Sequence, residues 1–255
     1  MTNGNKQRRE ELRRRRLEAE KQAKGQDNRQ NVIKAVAAAG FLAVIAVIAV
    51  VVVAVSGGGG DDGAKSGDQI EKLLAGIPQN GTVLGNPDAP ATVIEFADLE
   101  CPICKQFADG GLPDLIRSEV RPGRARIDLR FIQTASADFE AAKAALAASN
   151  QGRFWQFVEY FYANQGVEGT GYVTDEFLTD IAEQAGVPDI DRWNEDRNLP
   201  RWDEVLLRDD ELAAEVGATG TPTFVIERPD GSFEEIAPRS LDSIDEFKKA
   251  IRQAQ

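Results

Sequence analysis

Histidine is missing from all 255 residues, and cysteine occurs only at Cys101 and Cys104. With no imidazole and no third thiol, a zinc site lacks two of the good ligands it needs. A purely structural disulfide between residues three apart is a poor use of the pair, because closing so short a loop hardly restricts the unfolded chain. A dithiol/disulfide redox pair needs only what is present. Positive charge is scarce as well, except at the start: the flank through Lys34 holds 11 Lys/Arg against five Asp/Glu, leaving 19 basic and 37 acidic residues beyond it. A remainder with a net charge of −18 is soluble and argues against nucleic-acid binding, while naming no enzyme class. No internal repeat is present, so solenoid architectures do not arise.

From Ala35 to Val55 the missing element is charge, over 21 consecutive residues. At about 1.5 Å per residue such a run spans a bilayer, and it is long for the apolar part of a cleaved signal. Ala54-Val55-Ser56 nevertheless has the small residues of a cleavage site, so cleavage stays open as an alternative. The basic flank, with Arg13-Arg14-Arg15-Arg16, orients the N-terminus to the cytoplasm and is suited to anionic lipid. The expected organisation is therefore a cytoplasmic basic tail at 1–31, a single transmembrane helix in the lipid bilayer at 32–55 and a flexible linker at 56–68 containing Gly57-Gly58-Gly59-Gly60. One domain follows at 69–255, outside the cytoplasm and held at the cell membrane, long enough for a single core.

Within that domain Thr92 to Ala97 is β-branched and aromatic with one charge, as in a buried strand. Lys105 to Glu119 carries Phe107, Leu112, Leu115 and Ile116 near helical spacing. Ala125 to Ile132 reads as a second strand, giving a βαβ unit. Asp68–Ala75, Ala141–Ser149, Phe154–Ala163, Asp175–Ala185 and Trp202–Val216 read as helices. The aromatic stretch Phe154 to Tyr162 is read as core packing of an inserted helical layer. Thr223–Ile226 and Ser232–Ile236 form a hairpin through Pro229-Asp230-Gly231. Leu241–Gln253 closes the chain as a helix, with Ser243 and Glu246 at capping-box spacing.

The cysteines thus fall at a strand-to-helix junction, with Pro102 suited to a first helical turn. Unpaired N–H groups and partial positive charge at a helix N-terminus stabilise a thiolate. Cys101, at the mouth, is the candidate attacking thiolate; Cys104, one turn inside, is the resolving thiol.

These residues resemble the DsbA-like thiol:disulfide oxidoreductases of the thioredoxin superfamily over about residues 80–255. The matching motifs are Gly85-Asn86-Pro87-Asp88-Ala89-Pro90, Ile94-Glu95-Phe96 ahead of Cys101-Pro102-Ile103-Cys104, Gly152-Arg153-Phe154-Trp155, and Gly220-Thr221-Pro222-Thr223-Phe224. The single amino-terminal span is similar to that of membrane-anchored members in Gram-positive, especially actinobacterial, cells. The resemblance implies an α/β thioredoxin fold with a helical subdomain inserted at about 139–216, preceded by the transmembrane helix. It implies that Cys101 is the exposed nucleophile and Cys104 its buried partner. Thr221-Pro222 becomes the cis-proline edge that receives substrate, and Glu95 the buried acid assisting proton transfer at Cys104. A paired edge-strand glutamate is the plainer alternative for Glu95. Ile103 departs from the family: it stands where the most strongly oxidising members carry histidine. Isoleucine donates no hydrogen bond to a thiolate, and Glu100 adds negative charge, so the expected oxidising power is weaker.

The activity so implied is extracytoplasmic disulfide exchange on cysteine-containing client proteins, donating disulfides, with no metal or organic cofactor. A membrane redox partner resembling DsbB or VKOR would renew the disulfide. Two alternatives remain: the reverse reaction, as a reductase for cytochrome maturation or isomerase recycling, and a non-catalytic tethered module that holds extended peptides.

Overall fold

A computed structural model describes residues 65–132 and 139–254. The basic tail, the apolar run at 35–55 and the glycine tether lie outside these residues. Among the described residues no helix is long and apolar enough to cross a membrane.

Helix α1 (Gly67–Leu74) opens at Gly67, inside the stretch expected to be tether, because Gln69 reaches back to accept a hydrogen bond from Ser66 N at 2.8 Å. Two short strands follow, β1 (Gln79–Asn80) and β2 (Val83–Leu84), too brief to leave a period-2 signature in the sequence. Strand β3 (Thr92–Ala97) has the expected bounds, and all six of its residues are buried. It leads through α2 (Pro102–Asp109), α3 (Gly111–Leu115) and a π-helical turn (Ile116–Val120) into β4 (Arg126–Phe131). Helices α4 (Glu140–Ser149), α5 (Phe154–Ala163), α6 (Asp175–Gln184), α7 (Ile190–Asp196) and α8 (Arg201–Val216) come next. Strands β5 (Thr223–Glu227) and β6 (Phe233–Ile236) and helix α9 (Asp245–Gln253) complete the chain.

The six strands form one mixed sheet in the order β1-β2-β4-β3-β5-β6. Only β3 and β4 run parallel, as their helical crossover requires; the other pairs are antiparallel. Alternation along β3 divides the core. Ile94 and Phe96 pack with Val225, Ile132 and Ala213 on one face. Val93 and Ala97 join the cysteines, Phe107, Phe224 and the helical insertion on the other. There Phe107, Phe224 and Phe247 lock α2, β5 and α9 together, with ring centroids 4.5–5.5 Å apart. Burying each ring contributes about 1.5–3 kcal/mol. Phe154, Trp155, Phe157, Phe161 and Tyr162 are all buried, as expected of core aromatics.

Two expectations are corrected, and one helix is added. The helix read at Lys105–Glu119 is broken at Gly110-Gly111, where the loop before α9 presses on the backbone. Gly111 N donates to Leu241 O at 2.8 Å, and a Cβ on Gly111 would lie 2.6 Å from that oxygen. The last helix starts at Asp245 rather than Leu241: Ser243 Oγ accepts from Asp245 N, and Glu246 faces Arg239 instead of closing a capping box. Helix α7 was not expected, although Asp189 marks its start by accepting from Arg192 N at 3.0 Å.

Candidate active site

The turn joining β3 to α2 is built by its own polar groups. Asp98 Oδ1 accepts from Glu100 N at 2.9 Å, and Asp98 O accepts from Cys101 N at 3.1 Å. Cys101 therefore arrives as the N-cap of α2 with extended backbone, and Pro102 occupies the first turn, where it gives up no hydrogen bond. The carbonyl of Cys101 accepts from Lys105 N at 3.2 Å. Cys104 lies one turn further in and is fully buried, while Ile103 between them is 47% exposed. Both cysteines are free thiols.

The two sulfurs differ sharply in acidity. Cys101 is lowered to about 6, first by a hydrogen bond from the Cys104 thiol and then, against some desolvation, by its contact with Thr221 and by the backbone N–H groups of Cys104 and Ile103. The helix end and the second thiol thus stabilise the thiolate at a site whose neighbour is isoleucine. Cys104 moves the opposite way: burial, then its donated hydrogen bond to Cys101 and the charges of Glu95 and Cys101, push its thiol far upward.

Thr221-Pro222 closes the other side of the sulfur. The bond is cis, and the Cys101 thiol is within 3.5 Å of Thr221 O. Pro222 stands immediately before β5, which pairs with β3 beside the cysteines.

Glu95 lies under the pair. It sits in the central strand, flanked by Phe224 of β5 and Leu129 of β4, so it is not an edge glutamate. Alternation with Val93 and Ala97 aims it at the face that holds the cysteines. It is buried, and burial, reinforced by Glu159 and Cys101, raises it to about 8. A carboxyl that exchanges its proton near neutral pH is suited to acid–base work.

Sequence reasoning missed the contribution of the helical insertion. Just after α5, Gln165 Nε2 donates to Leu99 O at 2.7 Å and to Cys101 O at 3.1 Å, clamping the cysteine turn from outside. Tyr162 is buried, with its hydroxyl 3.5 Å from Asp98 O. Lys105 Nζ crosses from α2 to donate to Tyr162 O at 2.5 Å. No local pattern marks these residues, since each partner lies some sixty residues away in sequence.

Comparison with known proteins agrees with this geometry. The thioredoxin family model matches residues 78–251. Probable disulfide bond formation protein D of Bacillus anthracis is 28% identical over 147 residues, covering 56% of this chain and 68% of that protein. A Na(+)/H(+) antiporter NhaA of Herminiimonas arsenicoxydans is 32% identical over 165 residues, which is 62% of this chain but 24% of the antiporter. Among solved structures, oxidised BdbD from Bacillus subtilis has a TM-score of 0.59 and 23% identity, covering 71% of this chain and 97% of its own.

Proposed function

The chain belongs to the thioredoxin family, as a DsbA-like thiol:disulfide oxidoreductase, and on that premise we propose that it donates disulfides to client proteins outside the cytoplasm. The observation that carries the direction of transfer is the Cys101 thiolate, held at about 6 beside a deeply buried Cys104. A sulfur that is a stable anion is a good leaving group, and stabilising the reduced pair makes its disulfide more oxidising.

In the proposed cycle a client thiolate attacks Cys101 Sγ of the enzyme disulfide. The Cys101–Cys104 bond breaks, and Cys104 Sγ leaves with the electron pair and takes a proton from Glu95. A second client thiolate attacks the client sulfur of the mixed disulfide, and Cys101 leaves as thiolate. Two electrons have passed from client to enzyme, and the client holds the new disulfide. Thr221-Pro222 offers the backbone edge along which an extended client lies, with Ile103 as an exposed apolar neighbour. A membrane protein resembling DsbB or VKOR would then reoxidise the pair.

The apolar run at 35–55 and its basic flank support anchoring, with the folded domain on the outer side. Protease added to intact protoplasts should release a fragment that begins near the glycine tether; full protection would contradict this placement. The direction of transfer is tested by trapping thiols in growing cells and measuring the midpoint potential of the full chain in glutathione buffer. A disulfide donor is mostly oxidised in cells and reducible by glutathione. A protein kept reduced, with a potential well below that of glutathione, is a reductase.

A further inference from the structure

Where α2 packs on α5, a second buried acid has no part in the cycle described above. Glu159 of α5 is 1% exposed. Lys65 Nζ, just ahead of α1, is hydrogen-bonded to its Oε2 and also donates to Ala108 O of α2 at 2.7 Å, so Glu159 sits at the junction of α2 and α5. Its other oxygen, Oε1, finds no hydrogen-bond partner among the described residues. Helix α2 covers the sheet face toward which Glu95 points, which places the two carboxyls in one water-poor layer.

The charges around this layer are few. Burial raises the Glu159 carboxyl above its ordinary value, and the paired Lys65 opposes that rise; Asp109 of α2 reaches Lys65 at 4.0 Å and pairs with Lys105 at 3.0 Å. Glu95 faces Cys101, Cys104, Tyr162 and Glu159, and no lysine or arginine is paired with it among the described residues. Two carboxylates in one low-dielectric layer resist being ionised together, and the one with the cation ionises first.

We propose that Glu159, kept ionised by Lys65, is a positioning residue of the redox site: its charge keeps the Glu95 carboxyl protonated until Cys104 leaves and takes the proton. When the cysteines are reoxidised, Cys104 loses its proton as its sulfur attacks, and Glu95 recovers it. The helical insertion thereby sets the pH at which the floor of the thioredoxin layer works. This rests on the proton-transfer role given to Glu95 above.

The test is a carbon-13 titration of glutamate carboxyls in the full chain, oxidised so that the cysteines do not titrate. Glu95 is assigned by its loss in Glu95→Gln. In the unmodified protein its midpoint should lie well above the ordinary carboxylate range. In Glu159→Gln, which keeps size and a hydrogen-bonding oxygen for Lys65 but loses the charge, the midpoint should fall by about one pH unit or more. The pH profile of disulfide reduction should move down with it. An unchanged Glu95 midpoint in folded Glu159→Gln overturns the proposal. If that variant does not fold, the unmodified protein decides: coupled carboxyls each show an inflection at the other's midpoint, and two independent single-step curves overturn it. Activity separates the underlying reading, because a fully active Glu95→Gln removes the proton-transfer role even where the two titrations are coupled.

Discussion

The two cysteines and the helical insertion that overlooks them are organised in opposite ways. The cysteine turn is local: Asp98, Cys101, Pro102 and Cys104 fall within seven residues, and the thiolate is stabilised there first by the Cys104 thiol and then by N–H groups of the helix the turn opens. The insertion works at a distance. Gln165 holds the turn's carbonyls across 66 residues, and Glu159 meets Lys65 across 94. The difference teaches a division of labour in which the turn carries the sulfur chemistry and the insertion fixes its position and charge. Loss of either sulfur of the turn should therefore abolish turnover, and variants in the insertion should tune it.

The largest effects are expected at the sulfurs. Cys101→Ser should lower turnover to background in an insulin-reduction or thiol-oxidation assay, whereas Cys104→Ser should accumulate mixed disulfides with clients on non-reducing gels. Faster alkylation at Cys104 than at Cys101 in the reduced protein would reverse the two roles.

Next comes Glu95. Glu95→Gln should slow disulfide reduction by about 10²-fold near pH 7, the usual size of a general acid–base contribution. It should also change stability with a definite sign. A carboxyl raised from 4.5 to about 8 gives stability that is complete below pH 4.5 and lost as pH rises through 8. Glu95→Gln should therefore be more stable than the unmodified protein at pH 8, by on the order of 4 kcal/mol. Denaturant midpoints measured at pH 5 and pH 8 check this; equal pH dependence in both proteins would show that Glu95 is not the group responsible.

Gln165→Ala should have a smaller effect of a different kind. It removes two hydrogen bonds worth about 1 kcal/mol each, so alkylation of Cys101 at pH 7 should slow several-fold while the chemistry survives. A loss as complete as that of Cys101→Ser would erase the distinction between turn and insertion.

The smallest change is Ile103→His. A charge-assisted hydrogen bond to the thiolate is worth roughly 1.5–3 kcal/mol before solvent screening at this exposed position. About 1.4 kcal/mol corresponds to 30 mV for a two-electron couple, so the potential should rise by tens of millivolts. An unchanged potential would mean that position 103 does not face the Cys101 sulfur, and that the Cys104 thiol and the helix end govern it without a contribution from that position.

What could be read in advance follows the same division. Strand β3, helix α5 and the hairpin at Gly231, whose φ is +79°, were legible because each is written in adjacent residues. So were the cysteines, while the cis bond at Pro222 was expected only through the family resemblance carried by Gly220 to Phe224. The break at Gly110-Gly111 was visible as a glycine pair, but its cause, the carbonyl of Leu241, belongs to the other end of the domain. Glu95 could be named but not placed, since its central position depends on which strands pair with β3. Lys65, Glu159 and Gln165 carried no local signal, because a surface-type residue acquires a buried role only when packing brings its partner to it.

Acidity at Cys101 is measured directly by the rate of alkylation, or the thiolate absorbance, of the reduced full chain between pH 4 and pH 10, with Cys104→Ala, which leaves no donor at position 104, for comparison. The account predicts a single ionisation near 6 for Cys101. It predicts no ionisation of Cys104 in that range, and a higher Cys101 midpoint once the Cys104 thiol is no longer there to donate. A Cys101 midpoint at the ordinary thiol value of about 8.5 would contradict it, since neither the helix end nor the second thiol would then be stabilising the anion.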